Sequence, residues 1–302
     1  MTSTRLISST GLVLLSAALC LPAAAQRRGA GPNPNAAPMQ FRNLGPAQGG
    51  GRVSVVVGIP GQPDIYYMGS AAGGVWKTTD AGNTWKPIFE NEPVASIGDI
   101  ALAPSNPNLV WVATGEPNIR NDVMVGHGLY FSPDAGATFT EVAPQIFHNA
   151  GQMSRIVINP QDPNELWVAV LGHAFGPNPE RGVFHTTDGG KTWKKTLYVD
   201  DHTGAIDLAM KPDNPRILLA GMWDVTRHPW TLDNGGPGSG LYRSIDGGDT
   251  WTRITAGLAR GPYGRIGLGF APSEPTRAYA IVQSKTGLFY QSNDAGLTWS
   301  AV

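Results

Sequence analysis

Thr78-Thr79-Asp80-Ala81-Gly82-Asn83-Thr84-Trp85 is an eight-residue pattern of Ser/Thr-x-Asp-x-Gly-x-Thr-aromatic form. It returns as Ser132-Pro133-Asp134-Ala135-Gly136-Ala137-Thr138-Phe139 and as Thr186-Thr187-Asp188-Gly189-Gly190-Lys191-Thr192-Trp193. Two further copies are Ser244-Ile245-Asp246-Gly247-Gly248-Asp249-Thr250-Trp251 and Ser292-Asn293-Asp294-Ala295-Gly296-Leu297-Thr298-Trp299. Copies every 50 residues or so, about the length of a four-stranded propeller blade, make this a repeat protein.

The pattern has a physical reading as a hairpin. The aspartate carboxylate accepts backbone N–H groups a few residues on and closes the turn. The glycine takes a positive φ where a β-carbon would clash. The threonine re-enters a strand, and the aromatic ring covers the hairpin. Asp80, Asp134, Asp188, Asp246 and Asp294 are therefore read as structural. A calcium loop of the EF-hand kind is excluded, because no copy alternates acidic ligands before its glycine or ends in glutamate.

The remainder of each period repeats too. A short strand precedes each box, as in Gly74-Val75-Trp76-Lys77 and Gly182-Val183-Phe184-His185. Earlier comes a turn and an apolar strand, as in Pro104-Ser105-Asn106-Pro107-Asn108 before Leu109-Val110-Trp111-Val112-Ala113. A first strand stands before that turn and a fourth follows the box. Each period thus reads as strands A to D with the box on the C–D hairpin. The expected fold is all-β, a β-propeller of four-stranded antiparallel blades. Five blades are expected, about 52–90, 96–143, 153–199, 204–256 and 264–302, within a propeller region of 39–302. The 39 Gly and 25 Pro, which punctuate short runs of branched and aromatic residues, agree with it.

The first residues read as an address rather than as fold. Arg5 precedes the apolar run Leu12–Leu21, and Ala23-Ala24-Ala25 gives a small-x-small cleavage site before Gln26. Residues 1–25 are expected to be a cleaved signal peptide and 26–38 a disordered Pro/Gly/Asn linker. The run is short for a membrane span, so no transmembrane segment is expected after cleavage. Leu19 before Cys20 argues against a lipid anchor. Cys20 is the only cysteine, so the mature chain has no thiol chemistry. The expected location is periplasmic or secreted. A net charge of −1 gives no surplus of cations for nucleic acid or an anionic membrane.

Boxes of this form, known as Asp boxes, mark sialidases, sortilin-type receptors, photosystem assembly factors and two-propeller xyloglucan hydrolases. The mature chain resembles the N-terminal part of large exported bacterial proteins with sortilin-like propellers, which carry a glycosyl hydrolase label through repeat similarity. The closer resemblance rests on Phe41-Arg42-Asn43-Leu44-Gly45-Pro46, Gly49-Gly50-Gly51-Arg52, Gly115-Glu116-Pro117-Asn118 and Gly236-Pro237-Gly238-Ser239-Gly240-Leu241-Tyr242. It implies a bacterial origin and a polypeptide or carbohydrate ligand. A sialidase reading fails, because Phe41-Arg42-Asn43-Leu44 lacks the proline of the Phe/Tyr-Arg-Ile-Pro segment. The box is specific for fold, while many activities share the scaffold.

Loop lengths point to one face. The A–B and C–D turns lie at one end of a propeller, and the B–C and D–A loops at the other. The B–C loops of blades two to four are long and rich in functional side chains, where rigid scaffolds concentrate function. They supply Glu116, Arg120, Asp122 and His127 from blade two, His173 from blade three, and Trp223, Asp224, Arg227, His228 and Trp230 from blade four. Trp223 and Trp230 are read as exposed indoles suited to a sugar or an apolar peptide side chain. Five residues before the proline that ends each A strand stand Val55, Asp99, Arg155, Asp207 and Gly267. Asp99, Arg155 and Asp207 are expected at one level of the central channel. They form either a structural ion-pair ring or two carboxylates flanking a cation for acid/base work. Asp99, Asp207 and Glu116 are the candidate catalytic carboxylates, and Arg155 joins the ligand-binding set. No metal or cofactor is expected, since the histidines lack ligand spacing.

The sequence therefore supports a ligand-binding propeller, with glycoside hydrolysis by a carboxylate pair on the same face as the alternative. Because Val302 lies three residues past the last box aromatic, the five blades are expected to form an open arc, with further blades in a longer parent chain. Met39–Leu44 is placed to be the strand that closes such a ring.

Overall fold

A computed structural model describes residues 52–302. The signal peptide, the linker and the Met39–Leu44 closing strand expected from sequence lie outside the described residues. The described residues form five antiparallel sheets, each with its four blade strands hydrogen-bonded in chain order. Blade one comprises Val53–Ile59, Gln62–Ser70, Gly74–Thr78 and Lys86–Pro87; blade two Ile97–Ala103, Asn106–Thr114, Leu129–Ser132 and Thr140–Val142. Blade three comprises Gln152–Ile158, Leu166–Gly172, Gly182–Thr186 and Lys194–Leu197; blade four Thr203–Lys211, Asn214–Arg227, Gly240–Ser244 and Thr252–Ile254. Ile266–Ala271, Glu274–Val282, Phe289–Ser292 and Ser300–Ala301 make blade five.

Two local features differ from the sequence reading. The B strands of blades one, two, four and five start early, because pairs such as Ile59–Gln62 and Ala103–Asn106 close two-residue A–B turns with a register shift. The B strand of blade four also runs on to Arg227, where Leu232–Asn234 pairs with it. Part of that long loop is thus a β-hairpin.

The five boxes share one geometry. In blade one, Asp80 Oδ1 accepts from the Thr78 hydroxyl at 2.8 Å and the Thr84 N–H at 2.8 Å, and Oδ2 accepts from the Thr84 hydroxyl at 2.6 Å. Asp134, Asp188, Asp246 and Asp294 repeat all three bonds. The hydrogen bonds from Thr84, Thr138 and Thr192 hold Asp80, Asp134 and Asp188 down to about 2.

The boxes of blades two to five also close the joint with the preceding blade, those of blades two, four and five through hydrogen bonds. Tyr67 and Lys77 of blade one donate to the Ala135 carbonyl in the box of blade two, at 3.1 and 2.9 Å. Trp167 Nε1 donates to Gly247 at 2.9 Å, and Arg243 Nε to Ala295 at 2.9 Å. The approach is close enough to demand glycine. A β-carbon at Gly190 (φ 86°) would stand 2.8 Å from the Trp111 ring, and one at Gly248 (φ 85°) 2.6 Å from Trp167 Nε1. Apolar clusters fill the joints, among them Trp167, Ala169 and Val183 against Leu208, Leu218 and Met222.

Backbone bonds fix the two faces. Ala81, Ala135, Gly189, Gly247 and Ala295 donate to Asp64, Asn108, Asn164, Arg216 and Thr276, so every box sits with the A–B turns. At the other end, B–C loops bond to neighbouring loops, as Gly115 to Ser96 and Arg227 to Ala174. Consecutive A strands neighbour one another from blade one to blade five, and no comparable packing joins blade five to blade one among the described residues. Among the described residues the arc is open, with Ile281 and Phe289 exposed on blade five and Tyr279 stacked on Phe289 at 5.6 Å.

Trp167 is fully buried and also donates across the joint. Trp167→Ala should cost about 3–5 kcal/mol, read as a lower denaturation midpoint; a loss under about 1 kcal/mol would show that the joint is not set by this side chain. The depressed box carboxylates fix a second outcome. They stabilise the fold above their unfolded pKa near 4, and that contribution is lost as pH falls through about 2. The melting temperature should drop steeply between pH ~4 and pH ~2, less so in Asp188→Asn; a flat profile there would contradict the box geometry.

Candidate functional site

The A strands bring Asp99, Arg155 and Asp207 together in the channel. Arg155 Nε donates to Asp207 Oδ1 at 2.9 Å, and its Nη1 lies 3.9 Å from Asp99 Oδ1. The second oxygen of each aspartate is committed to the next blade. Asp99 Oδ2 accepts the Ile156 N–H at 2.7 Å, and Asp207 Oδ2 accepts the Leu268 N–H at 2.8 Å. Both carboxylates thus pin the following A strand. Burial pushes Asp99 up to about 6, against the pull of Arg155 and the Ile156 N–H.

Glu116 is fully buried at the base of its loop, where Arg52 grips both carboxylate oxygens, one at 2.7 Å. Its own N–H donates to Ser96 Oγ at 3.0 Å. Arg120 and Asp122 pair with each other at 2.9 Å on the exposed rim. His127 meets His148 edge-on with centroids 3.8 Å apart at 60°, and His148 Nδ1 lies 2.8 Å from Glu141 Oε1. His173 reaches the Asn149 carbonyl at 2.7 Å.

The loops of blades three and four are tied by Arg181, whose buried guanidinium donates to the carbonyls of His202, His173, Gly176 and Val225. Burial lowers it to about 10, with Asp224 opposing. The Arg227 N–H donates to the Ala174 carbonyl at 2.6 Å, which carries exposed Phe175 beside the blade-four hairpin. On that hairpin, His228 Nε2 lies 3.0 Å from Asp233 Oδ2 and its ring stacks on Trp230 at 5.7 Å and 19°. Trp230 is 81% exposed. Trp223, expected to be an exposed indole, is instead only 3% exposed. It lies within the extended B strand, and its Nε1 donates to Asn234 of the paired strand at 3.0 Å. The Asp224 N–H is taken by Ser239 Oγ at 2.9 Å.

Two arginines outside the sequence-derived set shape this face. Arg265 lies 5.9 Å from the Trp223 ring and donates to Asn118 at 2.6 Å, bridging blade five to the blade-two loop. Arg52 holds Glu116 from blade one. A Gly-Arg pair just before an A strand, Gly51-Arg52 and Gly264-Arg265, was the available signal. Among the described residues no group of three or more His, Cys, Asp or Glu side chains is arranged to hold a metal ion.

Comparisons with known proteins agree with this architecture. Residues 73–220 match the Sortilin-Vps10 family, described as sortilin, neurotensin receptor 3. The chain is 26% identical over 241 residues to a xyloglucanase of Paenibacillus sp, covering 72% of this chain and 22% of that protein. It is 30% identical over 174 residues to xyloglucanase Xgh74A of Acetivibrio thermocellus, covering 49% of this chain and 19% of that protein. The chain thus spans about a quarter or less of the length of the curated relatives it matches. The solved GH74 xyloglucanase of Xanthomonas campestris superposes with a TM-score of 0.62 at 16% identity, over 83% of this chain and 38% of that one. An ancestral GH74 enzyme gives 0.63 at 22% identity, over 83% and 31%. The protein is an Asp-box β-propeller that resembles sortilin-type propellers in sequence and GH74 propellers in fold.

The elevated Asp99 carboxyl has a defined pH signature. A folded pKa near 6, above the unfolded value, gives stability that is complete below pH ~4 and lost as pH rises through about 6. Asp99→Asn should remove that decline while keeping an acceptor for Ile156. Wild type and variant showing the same melting profile from pH ~4 to pH ~7 would refute the burial of this charge.

Proposed function

We propose that this propeller binds a β-glucan-type polysaccharide through the B–C loops of blades two to four, as the binding portion of a glycan-processing protein. One observation carries the reading. Trp230 stands exposed and stacked on a histidine that Asp233 orients, and Phe175 is exposed on the loop whose Ala174 carbonyl accepts from Arg227 of the same hairpin. Flat apolar faces edged by polar groups suit the axial C–H faces of a sugar ring. The xyloglucanase relatives favour a glycan over a polypeptide. Arg120, Asp122, His127, His173, Asp224 and Arg227 are the polar groups that this face offers to sugar hydroxyls, with Arg155 in the channel beside it.

A second reading, hydrolysis, is favoured by the Asp99 carboxyl near 6, the range of a general acid. Asp207, paired with Arg155, and Glu116, held by Arg52, are the other candidate carboxylates. The leader read from Arg5 to Ala25 supports export. Among the described residues no helix is long and apolar enough to cross a membrane.

Calorimetry with xyloglucan oligosaccharides tests both readings. Trp230→Ala should weaken binding roughly tenfold, the loss of about 1.5 kcal/mol of stacking, with little change in melting temperature. Asp80→Asn, on the opposite face in blade one, should leave affinity intact. Affinity unchanged in Trp230→Ala would move the site off blade four, and absence of binding to any glucan would end the proposal. Reducing ends released by wild type but not by Asp99→Asn would establish hydrolysis.

A further inference from the structure

The box face carries a feature that the loop-face reading does not use. Between blades three and four a cavity of about 470 Å³ opens at the boxes, roomy enough for one or two sugar rings. One wall is a fixed relay. Asn159 Nδ2 donates to Glu165 Oε2 at 2.5 Å, Glu165 Oε1 lies 3.1 Å from His185 Nε2, and the His185 ring lies flat on Trp167 at 4.6 Å and 4°. Arg216 and the Lys194–Asp249 pair, 3.1 Å apart, line the cavity as well.

This arrangement is a departure from the repeat. Lys77 and Arg243 occupy the strand C position equivalent to His185, and both donate to the box carbonyl of the next blade. At the third joint Trp167 makes that bond instead. The side chain at 185 makes no bond to that carbonyl and turns to Glu165. The joint needs neither histidine nor glutamate, yet both are held rigidly with Asn159 at a cavity wall.

We propose that this cavity is a second ligand site, specific for a neutral polyhydroxylated molecule the size of a mono- or disaccharide. Cations (Lys194, Arg216) and carboxylates (Glu165, Asp246, Asp249) both line it, so a ligand of either net charge meets like charge in the wall. Hydroxyl groups, which donate and accept, satisfy both kinds of wall. Planar Asn, Glu and His groups in fixed orientation suit the paired hydroxyls of a sugar ring. The ligand class follows from the cavity's own chemistry, so this site and the loop-face site stand or fall separately.

Titration of the full chain with cellobiose, followed by amide chemical shifts, tests it. Saturable shifts are expected at Lys194, Arg216 and Asp249. Arg216→Ala, at an exposed position, and Glu165→Gln should each weaken binding there roughly tenfold, while Trp230→Ala leaves it unchanged. Glucuronate and glucosamine should bind more weakly than neutral glucose. Shifts confined to the loop face, an Arg216→Ala affinity within about twofold of wild type, or equal binding of the charged sugars would overturn the proposal.

Discussion

The carboxylate of each box aspartate organises both its own hairpin and the joint beside it. Its two oxygens take the hydroxyl before it and the N–H and hydroxyl of the threonine four residues on. With the turn satisfied internally, the carbonyl of the next residue is left to accept from the preceding blade, as Ala135, Gly247 and Ala295 do. One side chain per blade therefore couples hairpin closure to blade packing. The inner ends of the blades use the same chemistry in another place. Asp99 and Asp207 each accept an N–H from the next A strand, so carboxylates staple successive blades at the channel as well as at the rim.

Spacing within the chain made much of this legible. The box fixes the C–D hairpin, the period fixes the blade, and the prolines that end the A strands align Asp99, Arg155 and Asp207, which meet around Arg155. Partners contributed by other blades were not legible, because the repeat specifies what a residue does in its own blade. Arg265 finds Asn118 in blade two, and Arg52 finds Glu116 there, across separations that no local pattern encodes. Trp223 was misjudged for a related reason. Long B–C segments read as irregular and exposed, whereas alternation in Met222–Arg227 continues the strand and buries the indole against the paired hairpin.

Rigidity of the loop face follows from its hydrogen bonds. Arg181 Nη1 and Nη2 together make four hydrogen bonds to carbonyls of two loops and of the blade-four B strand, where an unpaired buried carbonyl would cost about 1–3 kcal/mol. The blade-four hairpin adds a ladder of its own. Trp230 is therefore presented from an ordered strand pair, and little conformational freedom remains for a ligand to remove on binding.

Departures from the repeat mark where side chains are free for chemistry. Where the joint is made as in blades one and four, the strand C cation is consumed by a neighbouring carbonyl. Blade two substitutes Phe131, which packs on Trp111 at 4.7 Å and offers no polar group. Blade three alone among these combines a tryptophan that completes the joint with a titratable side chain that the joint does not need. Likewise at the channel, Gly267 stands where blades two to four carry charge, so Asp207 has a backbone N–H but no side-chain cation from blade five at that level. Arg155 is shared between Asp207 and Asp99, and Arg265, two residues earlier in blade five, brings a second cation to bear on Asp207. The more deeply buried of the two carboxylates, Asp99, is the one driven toward its protonated form.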